Sequence, residues 1–293
     1  MPGRKRLTLR LGPVDLLVFA PHPDDEVIGA GGVALQAIAA GKTVRIVFVT
    51  NGDGYPRAAS ALLHTPIPEL GPSDFVSLAG ARQREAVAAA KLIGIDLSCL
   101  VFLGYPDAGL AGICAAGLGD SVASPFTGMT STYGPAHTDY HTQAHGRPGL
   151  YARSEIAADV GEILRESQPA SVYVTGAADD HPDHKAAFAL VDEAAASTGY
   201  AGRLFSFIAH SGENGDWPWP RGAAPDAQFE AHRAAGTMYP KDVPWPPPVR
   251  VALTPNQAAV KQRAIAAHSS QWTIDRQYLE SFVKCEEVFW TER

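Results

Sequence analysis

Short runs of apolar, often β-branched residues alternate along the chain with longer Ala-rich segments whose apolar positions recur at helical spacing. Strands are expected near 14–20, 43–50, 99–103 and 171–175, and helices near 27–40, 78–94, 151–168 and 184–198. Further strands are expected at 203–209 and 249–253, the second introduced by Pro246, Pro247 and Pro248, with a helix near 256–269. Strand–helix–strand repetition with near-continuous apolar strands predicts an α/β fold, a Rossmann-like and mostly parallel sheet flanked by helices. Two segments exceed simple connections: 104–150, rich in Gly, Ser, Thr and His, and 211–248, rich in Pro and Trp. Loops longer than about 15 residues in compact domains carry function or disorder, and both are expected over the crevice at the carboxyl ends of the strands. The chain reads as one domain, 1–293, with insertions near 104–150 and 211–248.

The polar positions that interrupt this pattern gather at two strand ends. Pro21, His22, Pro23, Asp24, Asp25 and Glu26 come directly after the first apolar run, and His181, Pro182, Asp183 and His184 come after the run at 171–175. In open α/β sheets the crevice at the carboxyl ends of strands is where ligands bind. Zinc in hydrolases takes three protein ligands and leaves a fourth position for water, whose pKa falls to about 7. His22 and Asp25, three apart in a tight turn, can converge on one ion, and His184 can supply the third ligand from the other strand end. Asp24, beside a ligand but not coordinating, is placed as the general base. His181 faces the same cleft from the first helical turn; as an imidazolium it would stabilise an oxyanion or protonate a leaving amine, with Asp183 orienting it. Either cluster alone would pass for an ordinary turn or helix cap. Two of them, after two strands of one sheet, point to a shared metal site.

Composition narrows the partners. With 46% apolar residues in 293 the chain can bury a core, and 24 basic against 31 acidic residues, a formal charge of -7, exclude the electrostatic footprint of a nucleic-acid or anionic-membrane binder. A neutral or cationic small molecule fits better. No uncharged apolar run approaches the roughly 18 residues of a spanning helix. Residues 1–6 mimic the basic start of a secretory signal, but Pro13 and Asp15 interrupt the apolar stretch beyond them, so the segment reads as a ragged terminus before the first strand. Cys99, Cys114 and Cys285, odd in number and widely spaced, fit neither a disulfide framework nor a thiolate site and suggest a cytoplasmic protein.

Three other features compete for attention. Gly29, Gly31 and Ala34 match the dinucleotide-binding pattern G-x-G-x-x-A, with Asp53 downstream, and would make this a nucleotide-binding Rossmann protein. Against that, such glycines belong in the turn directly after the first strand, where His22 to Glu26 stand, so they are expected to let the first helix pack close to the sheet. Trp217, Trp219 and Trp245 could stack on a sugar or simply pack their Pro-rich loop. His137, His141 and His145 are a candidate second metal cluster, though no regular helix is expected there to align them.

At its two His/Asp motifs the chain resembles the PIG-L or LmbE-like deacetylases, zinc-dependent enzymes that remove acetyl groups from N-acetylglucosaminyl compounds. The resemblance runs on through Arg82, Gln83, Arg84 and Glu85, then Leu103, Gly104, Tyr105, Pro106 and Asp107, and ends with Lys261 through His268, Ser269, Ser270 and Gln271. It implies that His22, Asp25 and His184 hold Zn2+, with Fe2+ as the alternative in the cell. It makes Asp24 the general base, has His181 with Asp183 stabilise the tetrahedral intermediate, and places Arg82 and Asp107 on the sugar hydroxyls, the plainer readings being an exposed helix charge for Arg82 and a turn former for Asp107; His268 is either near the site or a satisfied core or surface histidine. Asp179 stands where one branch of the family has an assisting Tyr, and the segment 132–146 is longer than in the familiar members; both bear on the substrate rather than the reaction. The expectation is a metal-dependent hydrolase acting on an N-acyl amino sugar, in a chain that leaves a homo-oligomer open. The rivals are an amidase of the same family for a larger conjugate, such as a mycothiol-conjugate-like or antibiotic-linked acyl sugar, and a non-catalytic sugar-binding protein.

Overall fold

A computed structural model describes residues 11–212 and 216–293; the reading of residues 1–6 lies outside them. Five strands form the parallel part of the sheet: β1 (Leu16–Ala20), β2 (Val44–Thr50), β3 (Leu100–Tyr105), β4 (Ser171–Thr175) and β5 (Arg203–Phe207). In spatial order the seven-stranded sheet runs β3-β2-β1-β4-β5-β9-β8, where β8 (Val249–Ala252) and β9 (Glu286–Thr291) add an antiparallel edge, and a hairpin of β6 (His232–Ala234) and β7 (Thr237–Tyr239) stands apart. This is the expected α/β architecture. Every residue of β1, β2 and β4 is buried, as a parallel strand covered on both faces requires.

The helices are α1 (Asp25–Ala39), α2 (Pro56–Leu63), α3 (Pro72–Ile93), α4 (Leu110–Ala115), α5 (Tyr140–His145), α6 (Arg153–Ser167), α7 (Pro182–Thr198), α8 (Pro255–Ala266) and α9 (Ser269–Glu280). One apolar layer packs α1, α3 and α8 on one face, and the other packs α6 and α7 on the opposite face. The strand order reverses between β1 and β4, which pair in parallel register Leu16–Ser171 through Phe19–Val174. Chains leaving these neighbouring strands diverge to opposite faces and open a crevice. Both His/Asp motifs leave the sheet at that point.

Gly29 and Gly32 lie inside α1. A Cβ at Gly29 would sit 2.2 Å from the Phe207 ring, and one at Gly32 would sit 2.6 Å from Leu253. The glycines therefore serve close helix–sheet approach. Glu287 and Lys261, both buried, enter this contact: Glu287 accepts from the Gly32 and Val33 amides, Lys261 donates to the Ile28 carbonyl, and the two side chains lie 2.5 Å apart.

The two long segments behave differently. In 104–150, Leu110, Ile113, Tyr140 and the adjoining Tyr151 are buried against α6, α7 and β3, so of this segment Asp107 lines the crevice. From 211–248, Ser211, Gly212, Trp217 and Arg221 line it. Trp217 is buried, donates to the Ile208 carbonyl and packs on Phe229 and Trp245, while Trp219 stacks on His232. These contacts give the indoles packing partners, the plainer of the two readings, and Trp217 borders the crevice as well.

Candidate active site

The turn after β1 is set by local chemistry. Asp25 Oδ2 accepts from the His22 amide at 2.9 Å, and Glu26 accepts from the Asp24 amide at 2.8 Å. Between them Asp24 caps α1 at φ 134, a region costly for a non-Gly residue by about 1–3 kcal/mol and found where function imposes it. After β4, His181 caps α7, its Nδ1 accepting from the Asp183 amide at 3.2 Å, with Pro182 at the first helical position.

These two starts bring three atoms together. His22 Nδ1 lies 3.2 Å from Asp25 Oδ2, His184 Nε2 lies 3.2 Å from the same oxygen, and the two nitrogens are 3.2 Å apart. Ligand atoms at bonds of about 2.0–2.1 Å around a tetrahedral ion are about 3.3 Å from one another. The triangle fits such an ion, and its N, N, O donor set suits zinc or iron. Behind each imidazole stands a carboxylate: Asp107 Oδ1 is 2.9 Å from His22 Nε2, and Asp179 Oδ2 is 3.3 Å from His184 Nδ1. With both rings neutral, Asp25, Asp107 and Asp179 leave three negative charges around one point. Burial opposes charging of the rings, but Asp107 and Asp25 raise His22 well above the ordinary histidine range, and Asp25 and Asp179 raise His184 to about 10. A field that holds a proton this firmly also favours a divalent cation.

Asp24 and His181 border the same space. Asp24 is raised to about 6, by burial first and by neighbouring Asp25, with Arg82 pulling the other way. His181 is lowered to about 3 by burial and by His22, His184 and His210. Because its Nδ1 accepts from the Asp183 amide, the ring is neutral with its proton on Nε2. That corrects the sequence reading of an imidazolium. The orienting partner differs as well: Asp183 offers its backbone N–H to His181, while its carboxylate accepts from Ala108 at 2.8 Å and Ala111 at 3.4 Å.

Arg82 and Asp107 line the cleft but are already committed. Arg82 donates to the carbonyls of Gly52 at 2.8 Å and Pro23 at 2.6 Å and lies 3.2 Å from Asp24. Asp107, besides facing His22, accepts from Gly54 and Ala108. Their structural contacts are with the motif rather than with open space, since both are buried where the turns converge. His268 is buried 2.9 Å from Glu26 and so braces the first turn from behind.

Sequence reasoning passed over Asp179 as an orienting group. It accepts from the amides of His181, Ala209 and His210 as well as facing His184, and its only sequence signal was an Asp just ahead of a His-Pro-Asp-His motif. His210 and Tyr278, whose rings stack at 5.5 Å, come from the ends of β5 and α9 and had no local signal. With Tyr55, Gln271 and Asp275 they enclose a cavity of about 490 Å³ above the triangle, within the roughly 300–1,000 Å³ of small-ligand clefts.

Among solved structures, the chain is similar to an N,N'-diacetylchitobiose deacetylase from Pyrococcus horikoshii, at 22% identity and TM-score 0.54 over 94% of this chain and 83% of that one. It is similar to a teicoplanin deacetylase in a zinc-inhibited form, at 17% and 0.53 over 89% and 86%. It is also similar to the 4-carboxy-2-hydroxymuconate hydratase from Pseudomonas putida, at 16% and 0.53 over 95% and 96%. At such identities the likeness is one of fold, and that fold carries more than one reaction. No curated protein matches the chain. The family described as PIG-L, GlcNAc-PI de-N-acetylase, matches residues 17–195, from β1 through most of α7 and thus across both motifs, and the chain belongs to that family.

Proposed function

We propose that the protein is a metal-dependent N-deacetylase that cleaves an acetyl or other short acyl group from the nitrogen of an amino-sugar-containing small molecule, with zinc as the ion. The observation that carries this reading is the 3.2 Å triangle of His22, Asp25 and His184 with Asp24 beside it on the cavity wall. His22, Asp25 and His184 would hold the ion, which when bound supplies a Lewis acid that polarises an acyl carbonyl and acidifies water.

The remaining work falls to the chain. Asp24 takes the proton of the attacking water, and a carboxylate held near pH 6 is well matched to that task. Arg82 fixes Asp24 through the ion pair and the two carbonyl bonds that immobilise the guanidinium. His181 presents Nε2–H as a neutral donor to the oxygen that becomes negative as the carbonyl carbon turns tetrahedral. Collapse of that carbon breaks the C–N bond, and the proton gained by Asp24 passes to the leaving amine. Asp275, whose carboxylate accepts from Tyr55, and Arg221 place polar groups on the cavity wall within reach of a sugar.

The test is release of primary amine from a panel of N-acetylglucosamine derivatives. Turnover of at least one member, lost in Asp24→Asn, is the expected result. No amine from any member, with zinc bound at the cleft, would overturn the substrate class and turn the search to larger acyl conjugates or to hydration chemistry.

A further inference from the structure

We infer that His141, His145, Asp159 and Glu162 form a second divalent-metal site, separate from the cleft, that clips the 104–150 segment to α6. His141 and His145 stand one turn apart on α5, and Glu155, Asp159 and Glu162 stand four and three apart on α6, so each set presents one stripe to the other. Asp159 Oδ1 is 2.9 Å from His141 Nδ1 and 3.9 Å from His145 Nε2, and Glu162 Oε2 is 3.1 Å from His145 Nε2. One atom from each of His141, His145 and Asp159 falls within 4.8 Å of the others. Two imidazoles with carboxylates are the donor set of zinc-type ions.

Two further observations point to a ligand. His141 is 4% exposed, and while its Nδ1 faces Asp159, its Nε2 has Glu155 at 2.9 Å, the place of an outer carboxylate that orients a ligating imidazole. Charge balance adds to this. Glu155, Asp159 and Glu162 carry three negative charges and Arg147, 3.0 Å from Glu155, returns one. A dication cancels the remaining two with both imidazoles neutral. Protons would do so by charging two rings whose centroids are 4.4 Å apart, or by neutralising an Asp159 carboxylate that already bonds Tyr105 and His141.

The surroundings are built to hold these ligands. Tyr105 donates to the second Asp159 oxygen at 2.7 Å, and Tyr140 donates to Glu162 at 3.2 Å. At Gly149 a Cβ would stand 2.8 Å from the His141 ring. The consequence is structural: α5 has six residues, too few to be stable alone, and an ion closing a long loop onto a packed helix contributes binding energy to folding. The inference stands apart from the proposed function, because none of its residues touches the cleft triangle.

The experiment is zinc content of metal-stripped protein reloaded with Zn2+ and desalted, together with the Tm change on reloading. Wild type is expected to hold two equivalents, His184→Ala and His145→Ala one each, and the double variant none. In the His184→Ala background zinc should raise Tm, and His145→Ala should abolish that rise; His145 is partly exposed, so its removal leaves the core intact. One equivalent in wild type that His145→Ala leaves in place would overturn the inference, as would a double variant that still holds an equivalent. A single equivalent lost in His145→Ala but kept in His184→Ala would uphold this site and count against the cleft.

Discussion

Replacing Asp179 by Asn should loosen the cleft metal without touching a ligand. The Asp179 carboxylate is buried and nevertheless ionised, because His184 and His210 hold it well below the ordinary carboxylate range against the effect of burial. Its Oδ2 accepts from the amides of Ala209 at 2.7 Å and His210 at 3.0 Å and faces His184 Nδ1 at 3.3 Å, while Oδ1 accepts from the His181 amide at 2.9 Å. An amide keeps one oxygen. Whichever way it turns, its NH2 meets at least one backbone N–H, so folding loses about 1–3 kcal/mol. The negative charge behind His184 disappears in either case. Outer carboxylates of this kind are worth about 10–100-fold in metal affinity, or about 1.4–2.7 kcal/mol. Competition with a chromophoric chelator measures the change, with wild type and variant both carrying His145→Ala so that the cleft alone is read. A Kd within about threefold of the reference would refute the role given to Asp179.

The same geometry carries other expected outcomes. Asp24→Asn, which keeps the shape and tolerates the unusual φ, should lower kcat/KM by about 10²–10⁴-fold while zinc content stays at the wild-type value; a variant above one-tenth of the wild-type rate would remove Asp24 as the base. Gly29→Ala drives a Cβ into the Phe207 ring and should cost at least about 1–3 kcal/mol in denaturant unfolding; a loss under about 0.5 kcal/mol would show that the helix–sheet contact is slack. Lys284 is lowered to about 8, by burial first and by the Lys261 charge. Between about pH 8 and the unfolded lysine value near 10.4 the unfolded chain therefore holds the extra proton, and this group's contribution to stability rises with pH. The stability difference between wild type and Lys284→Met should shift in favour of wild type from pH 7 to 9.5, and a difference independent of pH would contradict that burial.

Much of this was legible in the sequence because the site is built from consecutive residues. His22 and Asp25 share one turn, His181 and His184 share another, and the strands before them carry the apolar runs 16–20 and 172–174, so strand-end placement and donor spacing could be read together. What escaped is what the tertiary structure supplies. Asp179 and Asp107 acquire their roles only when neighbouring strand ends align. His210 and Tyr278 arrive from distant elements, and α2 lies in a stretch whose weak apolar pattern gave no signal. β9 was missed since Glu286 and Glu287 open it; their carboxylates are buried on Phe229, Arg250, Lys261 and the α1 amides, partners that no local pattern reveals. The His141 and His145 pair was visible, but the acids that complete it stand on α6, and α5 itself was not expected.

The central claim is that a divalent ion held by His22, Asp25 and His184 drives amide hydrolysis in this cleft. Its most direct test is amine release from an N-acetylglucosamine derivative by metal-stripped protein as Zn2+ is titrated back, in wild type and in His184→Ala. Release that is absent when stripped, returns with zinc in the wild type and fails to return in His184→Ala is the predicted result. Release that survives stripping, or that zinc restores equally in His184→Ala, would contradict it.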